Sequence, residues 1–215
     1  MICSCIGSTD FARALEKAKS EALIELRLDL LEVTYEQIRT LCSQPSQTIV
    51  ACQPGKVSDD ERLEKLKKAI LAGADFVDAE WDAGEEFLNE LVPFARGNHC
   101  RVIISFCDKE ITPVKRELEH IVKECSMSGA DIVKIVCRVN SREDNARLLS
   151  LYSLGKNIIA IGLGNLGKIT RIAAPLAGAE FTYAAFCPDV EIAGGQMSKS
   201  AIDRALKLLG AGTEG

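Results

Sequence analysis

Short apolar runs alternate with longer amphipathic segments along this whole 215-residue chain, and that rhythm constrains its fold more than any other feature. The runs are Ile2–Ile6, Leu23–Leu31, Thr48–Gln53, Phe76–Trp81, Arg101–Cys107, Ile132–Arg138, Asn157–Leu163 and Phe181–Phe186. They are rich in Val, Ile, Leu and Phe, as strands covered on both faces must be. Their starts lie roughly 20–30 residues apart, about one strand–helix unit each.

Amphipathic segments fill the gaps. Asp10–Ala22 follows a capping Ser8-Thr9-Asp10, and Ser58-Asp59-Asp60-Glu61 has capping-box spacing before Arg62–Leu71. In that helix Leu63, Leu66, Ile70 and Leu71 share one face. Thr112 and Pro113 suit the first turn of Val114–Cys125. Ser141–Leu154 and Ser198–Leu209 are amphipathic too. Eight such units without a linker predict an α/β protein, one (β/α)8 TIM barrel over residues 1–215. An open doubly wound sheet is the alternative, but only one glycine stands in its first turn, Ile6-Gly7-Ser8-Thr9. Gly162-Leu-Gly164-Asn-Leu-Gly167 matches a dinucleotide fingerprint in letters, late in the chain; a tight strand-to-helix turn is the simpler reading.

Composition removes several function classes. With 26 Lys plus Arg against 31 Asp plus Glu, the net charge of −5 gives no basic excess to neutralise phosphates, so no nucleic acid is expected as partner. No apolar run is long enough to span a bilayer, and the N-terminus carries no export signal, so no membrane association is expected. Nine cysteines, with no CxxC and a lone Cys3/Cys5 CxC, suggest a reduced cytoplasmic protein without a metal site.

The informative residues are charges inside strands. Glu25, Arg27 and Asp29 occupy alternate positions of one run, so they share a face. In a barrel that face points into the lumen, where Arg27 between two carboxylates supplies the pairing that buried charges need. An edge strand or a structural charge network fits the same pattern. Lys134 interrupts the apolar run Ile132–Cys137. Burial lowers a lysine pKa, and a partly neutral amine is a nucleophile for carbonyls; a lysine snorkelling from a strand end is the bland alternative. Gln53, Glu80, Cys107 and Arg171 stand at or beyond strand ends, on the rim where barrels carry their sites. Arg171 follows the seventh-loop glycines and suits a carboxylate. Gln196 lies in Pro188–Ser198, a segment suited to a lid.

Together these segments resemble type I 3-dehydroquinate dehydratase. The carriers are Glu25-Leu-Arg27-Leu-Asp29, Ala130-Asp-Ile-Val-Lys134-Ile, Gly164-Asn-Leu-Gly167-Lys-Ile-Thr170-Arg171, Phe181-Thr-Tyr183-Ala and Gly195-Gln196, in the expected order. The resemblance implies a barrel, commonly dimeric, without metal or organic cofactor, acting in the shikimate pathway. It implies that Lys134 forms an imine with the C3 ketone of 3-dehydroquinate. A base then takes a C2 proton, an acid protonates the departing C1 hydroxyl, and hydrolysis releases 3-dehydroshikimate. Glu25 and Arg27 would organise the substrate hydroxyls, Arg171 would hold the carboxylate, and Gln196 would close over it.

The departures are also specific. Cys107 stands where the family has its catalytic histidine, Gln53 where it has an arginine, Ile192 at the lid hydroxyl position and Gly194 at a proline. His99 and His120, the only histidines, fall elsewhere. The imine-forming half is thus kept and the proton-shuttling half altered, which implies reduced activity, with Cys107 as the substitute. A Schiff-base lyase or aldolase on a related carboxylated ketone, and a non-catalytic ligand-binding barrel, stay open as alternatives.

Overall fold

A computed structural model describes residues 1–155, 157–185, 195 and 197–210. Its elements alternate strictly: β1 (Ile2–Ile6), α1 (Phe11–Ser20), β2 (Leu23–Arg27), α2 (Tyr35–Cys42), β3 (Gln47–Ala51), α3 (Asp59–Leu71), β4 (Phe76–Glu80), α4 (Glu85–Gly97), β5 (Arg101–Asp108), α5 (Lys115–Met127), β6 (Ile132–Arg138), α6 (Arg142–Ser150), β7 (Ile158–Leu163), α7 (Lys168–Leu176), β8 (Thr182–Ala185) and α8 (Lys199–Leu208). All the strand pairs are parallel, and the ladder runs β7-β6-β5-β4-β3-β2-β1-β8. The result is the expected (β/α)8 barrel, nearly closed, with no β7–β8 ladder among the described residues.

The apolar side chains divide into two layers because a strand presents alternate residues to opposite faces. Outward residues such as Ile24, Leu26, Val77, Ile104, Val133 and Ile135 pack beneath the helices. Inward residues fill the lower lumen, where Phe76, Phe181 and Tyr183 stack edge to face at centroid distances of 6.0 and 5.6 Å. With the floor filled by rings, only the rim at the C-terminal strand ends is left for polar groups.

Local chemistry starts the helices as expected. Asp10, Ser58, Ser141 and Ser198 each accept a backbone N–H of the first turn. Several expectations need correction. β2 ends at Arg27 rather than Leu31, because Leu28–Leu30 form a turn that swings Asp29 back onto Arg27. Thr112 does not cap α5; its hydroxyl donates to Arg138 O at 2.6 Å and ties the loop after β5 to the end of β6. On α3 the inward face carries Arg62 with Leu66, Ala69 and Ile70, while Leu71 is exposed. The sequence pattern does not delimit α2, α4 and α7.

The late glycines form the tight turn. The backbones of Gly162 and Gly167 touch so closely that a Cβ on Gly167 would lie 2.4 Å from the carbonyl carbon of Gly162. Thr170 locks that approach, accepting Gly162 N–H at 2.8 Å and donating to Gly167 O at 2.7 Å. α7 is thereby pressed against the end of β7, and Arg171 is carried inward.

Candidate active site

The C-terminal strand ends surround a cavity of about 370 Å³. Glu25, Arg27, Gln53, Cys107, Lys134 and Arg171 all line it, so the structure gathers every described site residue expected from sequence at one place. Gln196, together with Ile192 and Gly194, lies outside the described residues.

Lys134 stands mid-strand on β6 with its ammonium pointing into the lumen, 9% exposed. Its Nζ makes a short ion pair with Asp78 of β4 and a second one, at 3.6 Å, with Glu25 of β2. It also lies 5.2 Å from the centroid of the Tyr183 ring. Each carboxylate has another donor: Ser105 Oγ donates to Asp78 Oδ1 at 2.7 Å, and Cys5 Sγ to Glu25 Oε2 at 2.8 Å. Parallel register sets two pairs of these residues side by side on neighbouring strands. Cys5 pairs with Glu25, and Ser105 with Lys134.

One expectation is overturned by this geometry. Burial by itself would lower the Lys134 pKa, but Asp78 and Glu25 outweigh it and hold the amine above its ordinary value. The resting lysine is an ammonium rather than a partly neutral amine. Asp78 moves the same way: burial raises its pKa, against the pull of Lys134. The two groups therefore titrate as one coupled pair rather than independently.

Asp78 was not singled out from sequence. The signal was present, since Phe76-Val-Asp78-Ala-Glu80 puts two carboxylates on one face of an apolar strand.

The remaining groups ring the mouth. Arg27 grips Asp29 with two hydrogen bonds, of 2.9 and 2.6 Å, and donates to Gln53 Oε1 at 2.9 Å. Despite burial, Arg27 holds Asp29 below the ordinary carboxylate range. The expected pairing of Arg27 between two carboxylates is thus corrected: Asp29 is its ion-pair partner, whereas Glu25 is turned to Lys134. Arg171 belongs to α7 rather than to the loop, and is 1% exposed. Its Nη1 donates to Tyr183 O at 3.1 Å, which keeps the guanidinium at the cavity edge. Cys107 is an exposed residue on the lumen face of β5, two positions above Ser105. The surrounding strand ends still desolvate its sulfur enough to raise the thiol pKa, against Lys109 and Lys134.

The arrangement brings one amine held by two carboxylates, and a guanidinium that can grip a carboxylate, to one small cavity. That set suits imine formation with a ketone bearing an anionic group. Among the described residues, no cluster of three or more His, Cys, Asp or Glu side chains could hold a metal ion, and no helix is long and apolar enough to cross a membrane.

The comparisons with known proteins agree with one another. The family model described as type I 3-dehydroquinase matches residues 2–213. A 3-dehydroquinate dehydratase of Methanococcus maripaludis is 38% identical over 218 residues, covering 97% of this chain and 95% of that protein. One from Dehalococcoides mccartyi is 32% identical over 203 residues, covering 92% and 90%. The crystal structure of type I 3-dehydroquinate dehydratase from Clostridium difficile, with covalently modified comenic acid, superposes with a TM-score of 0.85 at 25% identity over 97% of this chain and 91% of that one. The Geobacillus kaustophilus 3-dehydroquinate dehydratase, at 22% identity and a TM-score of 0.87 over 99% and 92%, has the same fold. A match over nearly the whole chain, on a barrel whose strand ends hold the motifs that suggested it, places this chain in the type I 3-dehydroquinase family.

Proposed function

We propose that this chain dehydrates 3-dehydroquinate to 3-dehydroshikimate through a Schiff base on Lys134. It is then a hydro-lyase of the shikimate pathway, as family membership implies. The observation that carries the mechanism is the buried amine held between Asp78 and Glu25 in the cavity floor.

The first step needs a neutral amine. Asp78 is the acceptor for the ammonium proton, because it touches Nζ; its raised pKa favours the transfer, and the raised pKa of Lys134 opposes it. The amine then adds to the C3 carbonyl, and the carbinolamine hydroxyl leaves as water with the proton returned from Asp78, which gives an iminium and regenerates the Asp78 carboxylate. An iminium is again a cation at Nζ. The same two carboxylates that hold the ammonium therefore stabilise it, with no reorganisation of the site. The iminium draws electrons from the C2–H bond, which makes that proton removable.

Arg171 takes the substrate carboxylate at the cavity edge, since a planar guanidinium grips a carboxylate with two parallel hydrogen bonds. Glu25, Arg27 and Gln53 position the hydroxyls. Gln53 continues the Arg27 hydrogen-bond chain with a neutral amide. Cys107 stands at the mouth as a thiol able to donate toward a hydroxyl, and the family resemblance assigns Gln196 to substrate binding. No metal or organic cofactor takes part. The whole chain is one barrel domain, and it works as a cytoplasmic homodimer.

The test is trapping. With 3-dehydroquinate and borohydride, the reduced adduct maps to Lys134 and is absent from Lys134→Met. An adduct with product formation upholds the reading. An adduct without product points to a Schiff-base lyase acting on a related carboxylated ketone. Binding by calorimetry with neither adduct nor product would make the chain a ligand-binding barrel and refute the mechanism.

A further inference from the structure

Dehydration needs one group that can accept the C2 proton and release it to the leaving hydroxyl. A thiol with a raised pKa is protonated near neutrality, so Cys107 is a poor acceptor. Neither histidine can help. His99 lies in the turn between α4 and β5, His120 is on the exposed side of α5, and neither lines the cavity.

The cavity wall holds a different group. Glu80 is the last residue of β4, on the lumen face two positions above Asp78. It lines the cavity and is 9% exposed. Glu80 pairs in register with Ser105, and Ser105 pairs with Lys134. The two Cα atoms are therefore two strand spacings apart, about 10 Å, and their side chains both point into the lumen. Asp78 is not part of the cavity wall; it lies beneath, engaged by Ser105 and Lys134. Arg62 reaches Glu80 from α3, outside the wall, and bonds its Oε2. The Arg62 Nε donates to Cys52 O at 2.8 Å, and Asp59 takes its Nη1 at 2.6 Å. The guanidinium is thus fixed on three sides and fixes Glu80 in turn.

We propose that Glu80 is the general base and acid of the dehydration in this chain, in the place left by the substituted histidine. The inference rests on the Schiff-base reading above. The Glu80 carboxylate takes the C2 proton of the iminium, and the C–H electron pair flows to nitrogen to give an enamine. The enamine pair then expels the C1 oxygen, which leaves as water with the proton returned from Glu80. The carboxylate is regenerated, and the conjugated iminium is hydrolysed.

The charge surroundings support this role. Burial pushes Glu80 up to about 7, Asp78 on its own strand adds to the rise, and Arg62 and Lys134 oppose it. Cys107 faces the same lumen from β5. A group balanced near neutral pH can both accept and give back a proton.

The experiment measures kcat, KM and borohydride trapping across pH for the unaltered protein, Glu80→Gln and Glu80→Asp. In the unaltered protein the rate falls on the acid side with a midpoint near pH 7, as expected from the carboxylate at about 7. Glu80→Gln lowers kcat by about 10²–10⁴-fold, leaves KM nearly unchanged, removes that acid limb and still gives the Lys134 adduct. Glu80→Asp keeps the ionisable group beside Arg62; it retains an acid limb and recovers part of the rate. If Glu80→Gln does not fold, the profiles of the unaltered protein and Glu80→Asp decide. Loss of the limb or full rate in Glu80→Asp overturns the proposal. So does a Glu80→Gln variant that keeps its rate and acid limb. Absence of the adduct in the unaltered protein overturns the Schiff-base reading itself, and this inference with it.

Discussion

Replacing Lys134 with methionine tests the ion pair at the centre of the barrel. Methionine has nearly the same length and leaves Asp78 and Glu25 facing each other without a cation. At 3.6 Å, the Lys134–Glu25 attraction alone is about 4–5 kcal/mol at an effective dielectric near 20. The desolvation of the ammonium offsets part of that gain. Breaking a buried pair by removing one partner typically costs about 3–5 kcal/mol, and that is the expected loss at neutral pH. For a chain of this size it lowers Tm by roughly 6–20 °C. The pH dependence gives the sharper result. In the variant Asp78 is buried without its counter-charge, so its folded pKa, already raised by burial, rises further above the unfolded one. A group raised on folding contributes stability that is present below its unfolded pKa and lost as pH rises through its folded pKa. The variant therefore recovers on acidification, and its deficit shrinks by about 1–3 kcal/mol between about pH 7.5 and about 5.5. Chemical denaturation of both proteins at the two pH values measures this directly. A variant as stable as the parent at neutral pH, or a deficit that does not change with pH, would refute the buried ion pair.

Two further outcomes follow from named contacts. Arg171→Ala removes the guanidinium from the cavity edge; charge-assisted hydrogen bonds of about 1.5–3 kcal/mol correspond to a roughly 10–100-fold rise in KM for 3-dehydroquinate, with borohydride trapping preserved at saturating substrate. An unchanged KM would remove Arg171 from carboxylate recognition. Gly167→Ala puts a Cβ within 2.4 Å of the Gly162 backbone; overpacking of that kind costs about 1–3 kcal/mol, read as a lower Tm, and an unaffected melting curve would show that the β7–α7 turn yields freely.

The barrel was legible because its cause is local. Strands covered on both faces must be apolar throughout, and the segments between them must be amphipathic. A charge inside such a strand stands out against that background, which is how Lys134, Glu25 and Arg27 were found. The helices α2, α4 and α7 had weaker signals. The proline near the end of α7 and the one inside α4 blur a pattern that packing later completes.

What stayed out of reach was pairing. Sequence placed Arg27 between Glu25 and Asp29, but the turn after β2 gives Arg27 to Asp29 and leaves Glu25 to a lysine more than a hundred positions away. It read burial as making Lys134 neutral, and the carboxylates across the lumen reverse that sign. Arg62 is not among the residues expected on the apolar face of α3, yet it is 1% exposed and bonded to Glu80. The alternation of the chain thus determined the architecture and which residues turn inward, because side-chain direction follows from the backbone of each strand alone. Only closure of the sheet decided which charges meet, since the field at a buried group is set by neighbours that the chain brings together from distant strands.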